Sequence, residues 1–317
     1  MKQPTIAEID RKEDRKARRR SKRFPFMLMS PFFVLTGLFV IVPILIMFVM
    51  SFTDMGLTLE WNFIGFKTYA RLFADPALKT IILRTFIFVI LGTICSVLSS
   101  IFITVITTFY LDTIYRKENA GIIFRIIWLL PSLTPSVVYA FIWNYVFGPT
   151  DYHLMNIVRS WFGLEPITWF ALYPQQILFL AVVITSASSS IILFSAAVRQ
   201  IPLHIIQAAR VDGASPLYIC RKIVLPYLRW PITQKTLWSV LIYFCTYEII
   251  FLLTKGGPAG KTTTFAYYVY QNAFNLKKFG MGAALAVVLV AMSALLGLLV
   301  LRVFKVNEQL QDPRMDI

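Results

Sequence analysis

Long apolar segments alternate with short polar segments along most of the chain. A helix needs about 20 mostly apolar residues to cross the hydrocarbon core of a membrane. Only helices and closed barrels satisfy their backbone in lipid, and no segment shows the alternation of a barrel strand, so each is predicted to be a spanning helix. The six predicted spans are residues 26–52, 81–109, 122–147, 177–198, 231–253 and 281–304.

Composition agrees with an all-α integral membrane protein, since 57% of the 317 residues are hydrophobic and 15% are charged. The predicted domain is residues 26–304, between a basic N-terminal tail, residues 1–25, and a C-terminal tail, residues 305–317. The three scattered cysteines and two histidines predict neither a disulfide framework nor a metal site.

The net charge of +15 is distributed unevenly between the two sides of the predicted membrane domain. Of the 31 lysines and arginines, 22 lie in the N-terminal tail, in residues 110–125, in residues 196–235 and from Arg302 onward. Cytoplasmic loops of membrane proteins carry an excess of lysine and arginine. This distribution therefore predicts that both termini are cytoplasmic. No signature of a nucleic-acid-binding fold accompanies the charge, so nucleic acid is not predicted as a partner. The basic N-terminal tail is expected to lie on anionic membrane lipid.

A polar hairpin, residues 201–226, lies in the predicted cytoplasmic loop 199–229 between the fourth and fifth spans. Its first helix is predicted to stop at Gly213, because glycine accepts a positive φ cheaply. Ser215 is a good N-cap for a second helix, which is predicted to end before Pro226. The hairpin could simply link two spans, or it could be a compact knob that a partner grips.

The third predicted span contains two prolines, Pro131 and Pro135, among hydroxyl side chains. Each proline removes a helix hydrogen bond, so we predict a kinked helix that lines a pore. Ser132, Thr134 and Ser136 could face that pore, although such side chains in spans often bond back to their own helix.

Two further spans carry polar groups. The fourth span has five hydroxyls within residues 185–190, and they serve either helix packing or solute contact. In the fifth span, the spacing of three and four residues predicts one stripe on the helix surface, formed by Tyr243, Thr246, Tyr247 and Glu248. A carboxyl in lipid is costly, so Glu248 is either a functional group or a buried structural partner.

Residues 253–263 contain a glycine-rich loop that lacks the spacing of a phosphate-binding loop, because Lys255 stands where that motif requires glycine. The loop reads LTKGGP and resembles the external LTxGGP loop of maltose-type carbohydrate importers. The LP-x-x-x-PS stretch in residues 130–136 resembles a stretch in permeases of the same family.

The hairpin itself resembles the EAA loop of ABC-importer permeases, with Gln207 in place of the usual glutamate. Residues 207–209 read QAA, residues 212–214 read DGA, and residues 223–226 read IVLP. In that family the loop docks on a cytoplasmic ATPase. The resemblance assigns ATPase coupling to Gln207, Ala208, Ala209, Asp212, Gly213 and Ala214.

The resemblance implies the type I ABC importer permease fold and a place in a bacterial or archaeal plasma membrane. Its implied partners are a second homologous permease, two cytoplasmic ATPase subunits and an extracellular solute-binding protein. The chain itself is then not an enzyme and binds no cofactor, because ATP and magnesium belong to the ATPases.

The implied cargo is a neutral sugar or oligosaccharide, since hydroxyls and aromatic rings suit a polyol. No lysine or arginine is predicted to lie within the membrane near these positions, which also argues against an anionic solute. The predicted substrate-contacting residues are Ser132, Ser136, Thr185, Ser186, Ser189, Tyr243, Thr246, Tyr247 and Glu248.

Other functions stay open at this point. The chain could carry another small solute, or it could be an ion-coupled secondary transporter that uses Glu248, although internal repeats are not visible. A membrane enzyme is disfavoured, because no nucleophile with a base and no metal cluster falls within one span.

Overall fold

The computed structural model describes residues 27–305, which form helices joined by loops. Both predicted tails lie outside the described residues, except for Lys305. Within the described part, the only extended pairing is an isolated antiparallel bridge between Thr53 and Phe63.

Ten helices position the site. They are α1 (Met27–Met50), α2 (Pro76–Ile114), α3 (Glu118–Leu133), α4 (Ser136–Phe147), α5 (Pro174–Arg199), α6 (Leu203–Val211), α7 (Pro216–Ile219), α8 (Arg229–Cys245), α9 (Glu248–Leu253) and α10 (Phe279–Val303). Short helices in the connecting loops are Lys67–Phe73, Leu154–Ser160, Trp169–Leu172 and Phe265–Tyr270, the last continued by a wider turn over Gln271–Asn275.

Four of the predicted spans are continuous apolar helices long enough to cross a membrane. These are α1, α2, α5 and α10, of 24, 39, 26 and 25 residues. The second is longer than predicted, because Pro76 begins it and Asp75 caps it by accepting a hydrogen bond from the Ala77 N–H at 2.8 Å. The prediction of helices at these four places is confirmed.

The predicted kink in the third span is a bend of 102° between α3 and α4. Thr134 is extended, with ψ 128°, and Pro135 follows it. A proline disfavours the helical conformation of the residue before it, which agrees with a break at Thr134, whereas Pro131 is accommodated inside α3.

The fifth predicted span, residues 231–253, is not one helix, and this part of the prediction was wrong. Its helix α8 ends at Cys245, and α9 begins at Glu248. Thr264 Oγ1 donates to the Thr246 carbonyl at 3.4 Å, and the Tyr247 ring stacks on Tyr270 with centroids 5.2 Å apart. A distant segment therefore supplies a hydrogen bond to one carbonyl at the break and a ring that packs beside it.

Helices α2, α5 and α8 pack together at the centre of the protein. A cluster of buried side chains that includes Val89, Ala181 and Phe244 lies between them. Gly92 permits the close approach, since a Cβ there would lie 2.9 Å from Cε2 of Tyr243.

The hairpin has the predicted first helix, α6, and the predicted turn at Gly213, with φ +80°. Ser215 Oγ accepts from the Tyr218 N–H at 3.3 Å, as expected of an N-cap. The second helix does not end before Pro226. A wider turn over Cys220–Val224 follows α7, and a new helical turn starts at Leu225, so Pro226 lies where no backbone donor is needed.

Candidate functional site

The two interrupted helices meet at their breaks. Ser136, the first residue of α4, donates from Oγ to Oε1 of Glu248, the first residue of α9, at 2.5 Å. This hydrogen bond is exposed; the Glu248 side chain is exposed and Ser136 is half-buried. We call this meeting point, with the adjoining Thr246 and Tyr247, the open break.

Several predicted contact residues lie at or beside the open break. Tyr247 is 42% exposed, and its ring faces Tyr270. Thr246 Oγ1 and Ser132 Oγ each bond to a carbonyl of their own helix, Ile242 and Leu129, at 2.7 and 2.8 Å. The break therefore offers a carboxylate, hydroxyls and aromatic faces together, which is the chemistry that binds polar solutes.

Other predicted contact residues lie elsewhere. Tyr243 is completely buried, and Thr185 and Ser186 are half-buried on α5. Ser189 is exposed on α5 and donates to the Ser186 carbonyl at 2.9 Å. The single stripe predicted from Tyr243 to Glu248 was wrong, because the break after Cys245 turns the two ends toward different surroundings.

A different stripe exists on α8. Lys235, Ser239 and Tyr243 follow at intervals of four residues, which places them on one helix face. All three are buried, with exposed fractions of 7%, 1% and 0%. This face packs toward α2 and α5, and with Ser96 and Ser186 we call it the buried polar seam.

Lys235 is the charged member of the seam. Its Nζ donates to the carbonyl and to Oγ of Ser186, both at 2.8 Å, and Ser96 Oγ donates to Ser186 Oγ at 3.0 Å. Within residues 27–305, no carboxylate forms an ion pair with it. The hydroxyls of Ser239 and Tyr243 are buried without a hydrogen-bond partner.

The expectation that no membrane-buried cation lies near the predicted contact residues is therefore wrong, since Lys235 contacts Ser186. Sequence reasoning counted Lys235 among cytoplasmic charges, although it falls inside the fifth apolar segment. A charge within such a segment, followed by polar residues at spacing four, was the available signal.

A cluster of ion pairs links three helices at the end of the bundle near the hairpin. Asp112 Oδ2 accepts from Arg125 Nη1 at 2.7 Å and from Arg199 Nη2 at 2.9 Å. The three residues belong to α2, α3 and α5. Arg125 and Asp112 have side chains only 10% exposed, so the pair is protected from solvent and links the three helices.

The hairpin packs on this end through an apolar core. Ile206, Ile219 and Val224 of the hairpin lie against Phe109 of α2 and Phe194 of α5. Burial raises the pKa of the Cys220 thiol above its ordinary value, which keeps it neutral within this core.

The outer surface of the hairpin carries the predicted coupling residues. Gln207, Ala208, Asp212 and Gly213 are exposed, and Ala209 and Ala214 are half-buried. Sequence reasoning missed four large apolar side chains that are exposed beside them: Leu203, Val211, Leu217 and Tyr218. Apolar patches of this kind mark protein interaction surfaces.

Among the described residues, no three histidine, cysteine, aspartate or glutamate side chains are grouped so that they could hold a metal ion. The chemistry available at the open break is hydrogen bonding and ring stacking.

The sequence is similar to those of known permease subunits. The chain is 28% identical over 282 residues to a probable ABC transporter permease of Pyrococcus horikoshii, covering 87% of this chain and 94% of the relative. It is 27% identical to the sulfoquinovosyl glycerol transport system permease SmoG of Agrobacterium fabrum, covering 89% and 90%.

A solved structure shares the fold. A chain of a bacterial ABC transporter involved in the import of the acidic polysaccharide alginate superposes with a TM-score of 0.77 at 19% identity, covering 92% of this chain and 98% of that chain. Residues 114–312, more than half of the chain, match the family described as binding-protein-dependent transport system inner membrane component. The chain belongs to this family of multi-pass membrane transport components.

Proposed function

We propose that the chain is the permease subunit of an ATP-driven ABC importer and that it translocates a neutral sugar or oligosaccharide. The observation that carries the proposal is the open break, where the half-buried Ser136 bonds to the exposed Glu248 between two interrupted helices. Interrupted helices at membrane depth are tolerated where they line a cavity, and solute sites are often built there.

The proposed topology has six crossings. The bent pair α3 and α4 would form the third, and α8 with α9 would form the fifth, interrupted one. The excess of basic residues then supports cytoplasmic termini and a cytoplasmic hairpin. Uptake would require a second permease, two ATPases and an extracellular binding protein, because the family is binding-protein-dependent.

The proposed cargo is neutral because the exposed charge at the open break is a carboxylate, which would repel an anion. Lys235 does not change this, since its ammonium is buried and its hydrogen bonds go to Ser186. The alginate importer shows that relatives of this fold handle acidic solutes. Neutral and acidic sugars should therefore be compared directly.

The test is uptake into proteoliposomes that contain the complete transporter, with its binding protein and internal ATP. Ser136→Ala should slow sugar uptake about tenfold, in proportion to one lost hydrogen bond to a charged group. The control is Ser293→Ala, whose hydroxyl bonds to Leu289 of its own helix. Equal uptake by the wild type and Ser136→Ala would contradict the proposed pathway.

The proposed role of the hairpin is to receive force from the ATPases as a rigid body. Its exposed Leu203, Val211, Leu217 and Tyr218 would be covered in that contact. Gly213→Pro should abolish ATP-driven uptake while the protein still inserts, because proline cannot adopt a φ of +80°. Unaltered uptake by this variant would refute the role.

The second candidate is an ion-coupled transporter, which the exposed Glu248 at a helix break favours. In that case uptake would survive ATP depletion and collapse when ionophores remove the ion gradient. The ABC importer predicts the reverse result in both conditions.

A further inference from the structure

A cavity of about 570 Å³ lies where α2 and α5 begin, beside the loop that precedes the Phe265–Tyr270 helix. The cavity is separate from the open break and from the buried polar seam, because none of their residues lines it. Its volume lies within the ordinary range of ligand pockets. Neither the family nor the proposed transport pathway assigns it an occupant.

The polar end of the cavity is built by hydrogen bonds to the loop backbone. Arg84 Nη1 donates to the Gly260 carbonyl at 2.7 Å, and Gln175 Nε2 donates to the Lys261 carbonyl at 2.7 Å. The Lys261 side chain is exposed and lines the same cavity. Arg84 therefore does not simply extend to the membrane surface, as an arginine near a helix end often does.

Charge at this end has one sign. Arg84 and Lys261 are both cationic, and no carboxylate lines the cavity among the described residues. A guanidinium bonded to one carbonyl retains further N–H donors, since arginine has five. Two cations with free donors are suited to a phosphate group.

The other end of the cavity is apolar. Ile87 and Leu91 on α2 and Leu180 on α5 line it, and each is about half exposed. Leu91 lies two helical turns beyond Arg84, or roughly 10 Å at the rise of an α-helix. The cavity is cationic at the ends of the spans and apolar toward their middle. This order complements a phospholipid of one leaflet, whose phosphate lies at the membrane surface and whose acyl chains point toward the middle.

We propose that this cavity binds one anionic phospholipid, with its phosphate at Arg84 and Lys261 and one acyl chain along Ile87, Leu91 and Leu180. A free phosphate ion would leave the apolar wall uncovered, and a sugar would use neither the cations nor that wall. Because Arg84 and Gln175 also hold the loop that carries the LTKGGP sequence, the bound lipid would stabilise this loop against α2 and α5.

The experiment titrates phosphatidylglycerol into the detergent-solubilised complete transporter and counts bound lipids by native mass spectrometry. Phosphatidylcholine, which has no net charge, should bind at least about tenfold more weakly, since each basic residue near a membrane surface contributes about one order of magnitude or less. The double variant Arg84→Ala with Lys261→Ala should lose about tenfold in phosphatidylglycerol affinity.

Two single variants keep the test valid if the double variant misfolds. Lys261→Ala leaves the backbone carbonyl that Gln175 binds intact, and it should weaken phosphatidylglycerol binding about fivefold. Leu91→Trp should displace the acyl chain and lower binding of both lipids. The matched control is Lys79→Ala, an exposed cation on the same end of α2 that does not line the cavity.

Equal affinity for the two lipids, or an unchanged affinity in Lys261→Ala, would overturn the proposal. Loss of the second permease subunit from the complex on Leu91→Trp substitution would also overturn it, because the cavity would then be a subunit contact. Displacement of the lipid by inorganic phosphate alone would show a plain anion site rather than a lipid site.

Discussion

The open break and the buried polar seam contain similar residue types in opposite surroundings. At the open break, the half-buried Ser136 and the exposed Glu248 are the first residues of two helices and bond to each other. In the seam, Lys235 and Ser186 lie between continuous helices and bond to each other. The carboxylate of the open break is exposed at a helix end, whereas the ammonium of the seam is buried within the helix bundle.

The difference has a physical cause. A hydroxyl in a continuous helix can return its hydrogen bond to a carbonyl one turn away, as Ser188 Oγ does with Ile184 at 2.7 Å. Such a group gains little from a solute. At the open break, Ser136 Oγ instead donates to Glu248 of a different helix, and the Glu248 side chain is exposed.

Among substitutions at the open break and the seam, Glu248→Ala is expected to have the largest effect. It removes the exposed carboxylate and the partner of Ser136, so the initial rate of sugar uptake should fall roughly tenfold to a hundredfold, the range for a lost charged hydrogen bond. Glu165→Ala, an exposed carboxylate in a loop, is the control and should retain wild-type uptake. Full activity of Glu248→Ala would remove the open break from the pathway.

Lys235→Ala should act on stability rather than on solute affinity. The substitution leaves a cavity in the seam and removes both hydrogen bonds from Lys235 to Ser186, at a cost of about 2–4 kcal/mol. Thermal unfolding of the purified transporter measures this loss, with the exposed Lys67→Ala as control. A large rise in the apparent KM for sugar, with stability unchanged, would place the seam on the solute pathway instead.

Gly92→Ala should destabilise the same region by about 1–3 kcal/mol, the usual cost of an overpacked core. The added Cβ would lie 2.9 Å from the Tyr243 ring, whereas at Gly37 nothing lies within 4 Å of the equivalent position. Gly37→Ala is therefore the matched control in thermal unfolding. Equal stability of the two variants would show that the seam is looser than its geometry indicates.

Tyr243→Phe should have the smallest effect. Its hydroxyl is buried without a partner, so removing it should leave stability unchanged or raise it by up to about 1 kcal/mol. Sugar uptake should also be unchanged. A several-fold loss of uptake would support the role in substrate contact that the sequence predicted for Tyr243.

The sequence was sufficient where local chemistry decides the conformation. Pro131 and Pro135 predict a kink, which lies at Thr134, and Gly213 with Ser215 predicts the hairpin turn and cap. Runs of apolar residues predict the four continuous helices. In each case the residues that cause the feature lie within one or two turns of it.

Tertiary contacts decide what the sequence could not predict. No proline or glycine marks the break between α8 and α9, and the groups that support it, Thr264 and Tyr270, come from a later segment. The burial of Lys235 depends on Ser186 of another helix. Hydroxyls cover nearly all sides of residues 185–190, so their pattern does not show which of them faces a neighbour.

Thiol labelling compares the two regions most directly. Ser136→Cys and Ser186→Cys are each introduced after Cys95, Cys220 and Cys245 are replaced, and the intact transporter is treated with a membrane-impermeant maleimide. We expect Ser136→Cys to react and to be protected by the transported sugar, while Ser186→Cys stays unlabelled. Sugar-protected labelling of Ser186→Cys, with Ser136→Cys unreactive, would contradict the assignment of the solute pathway to the open break.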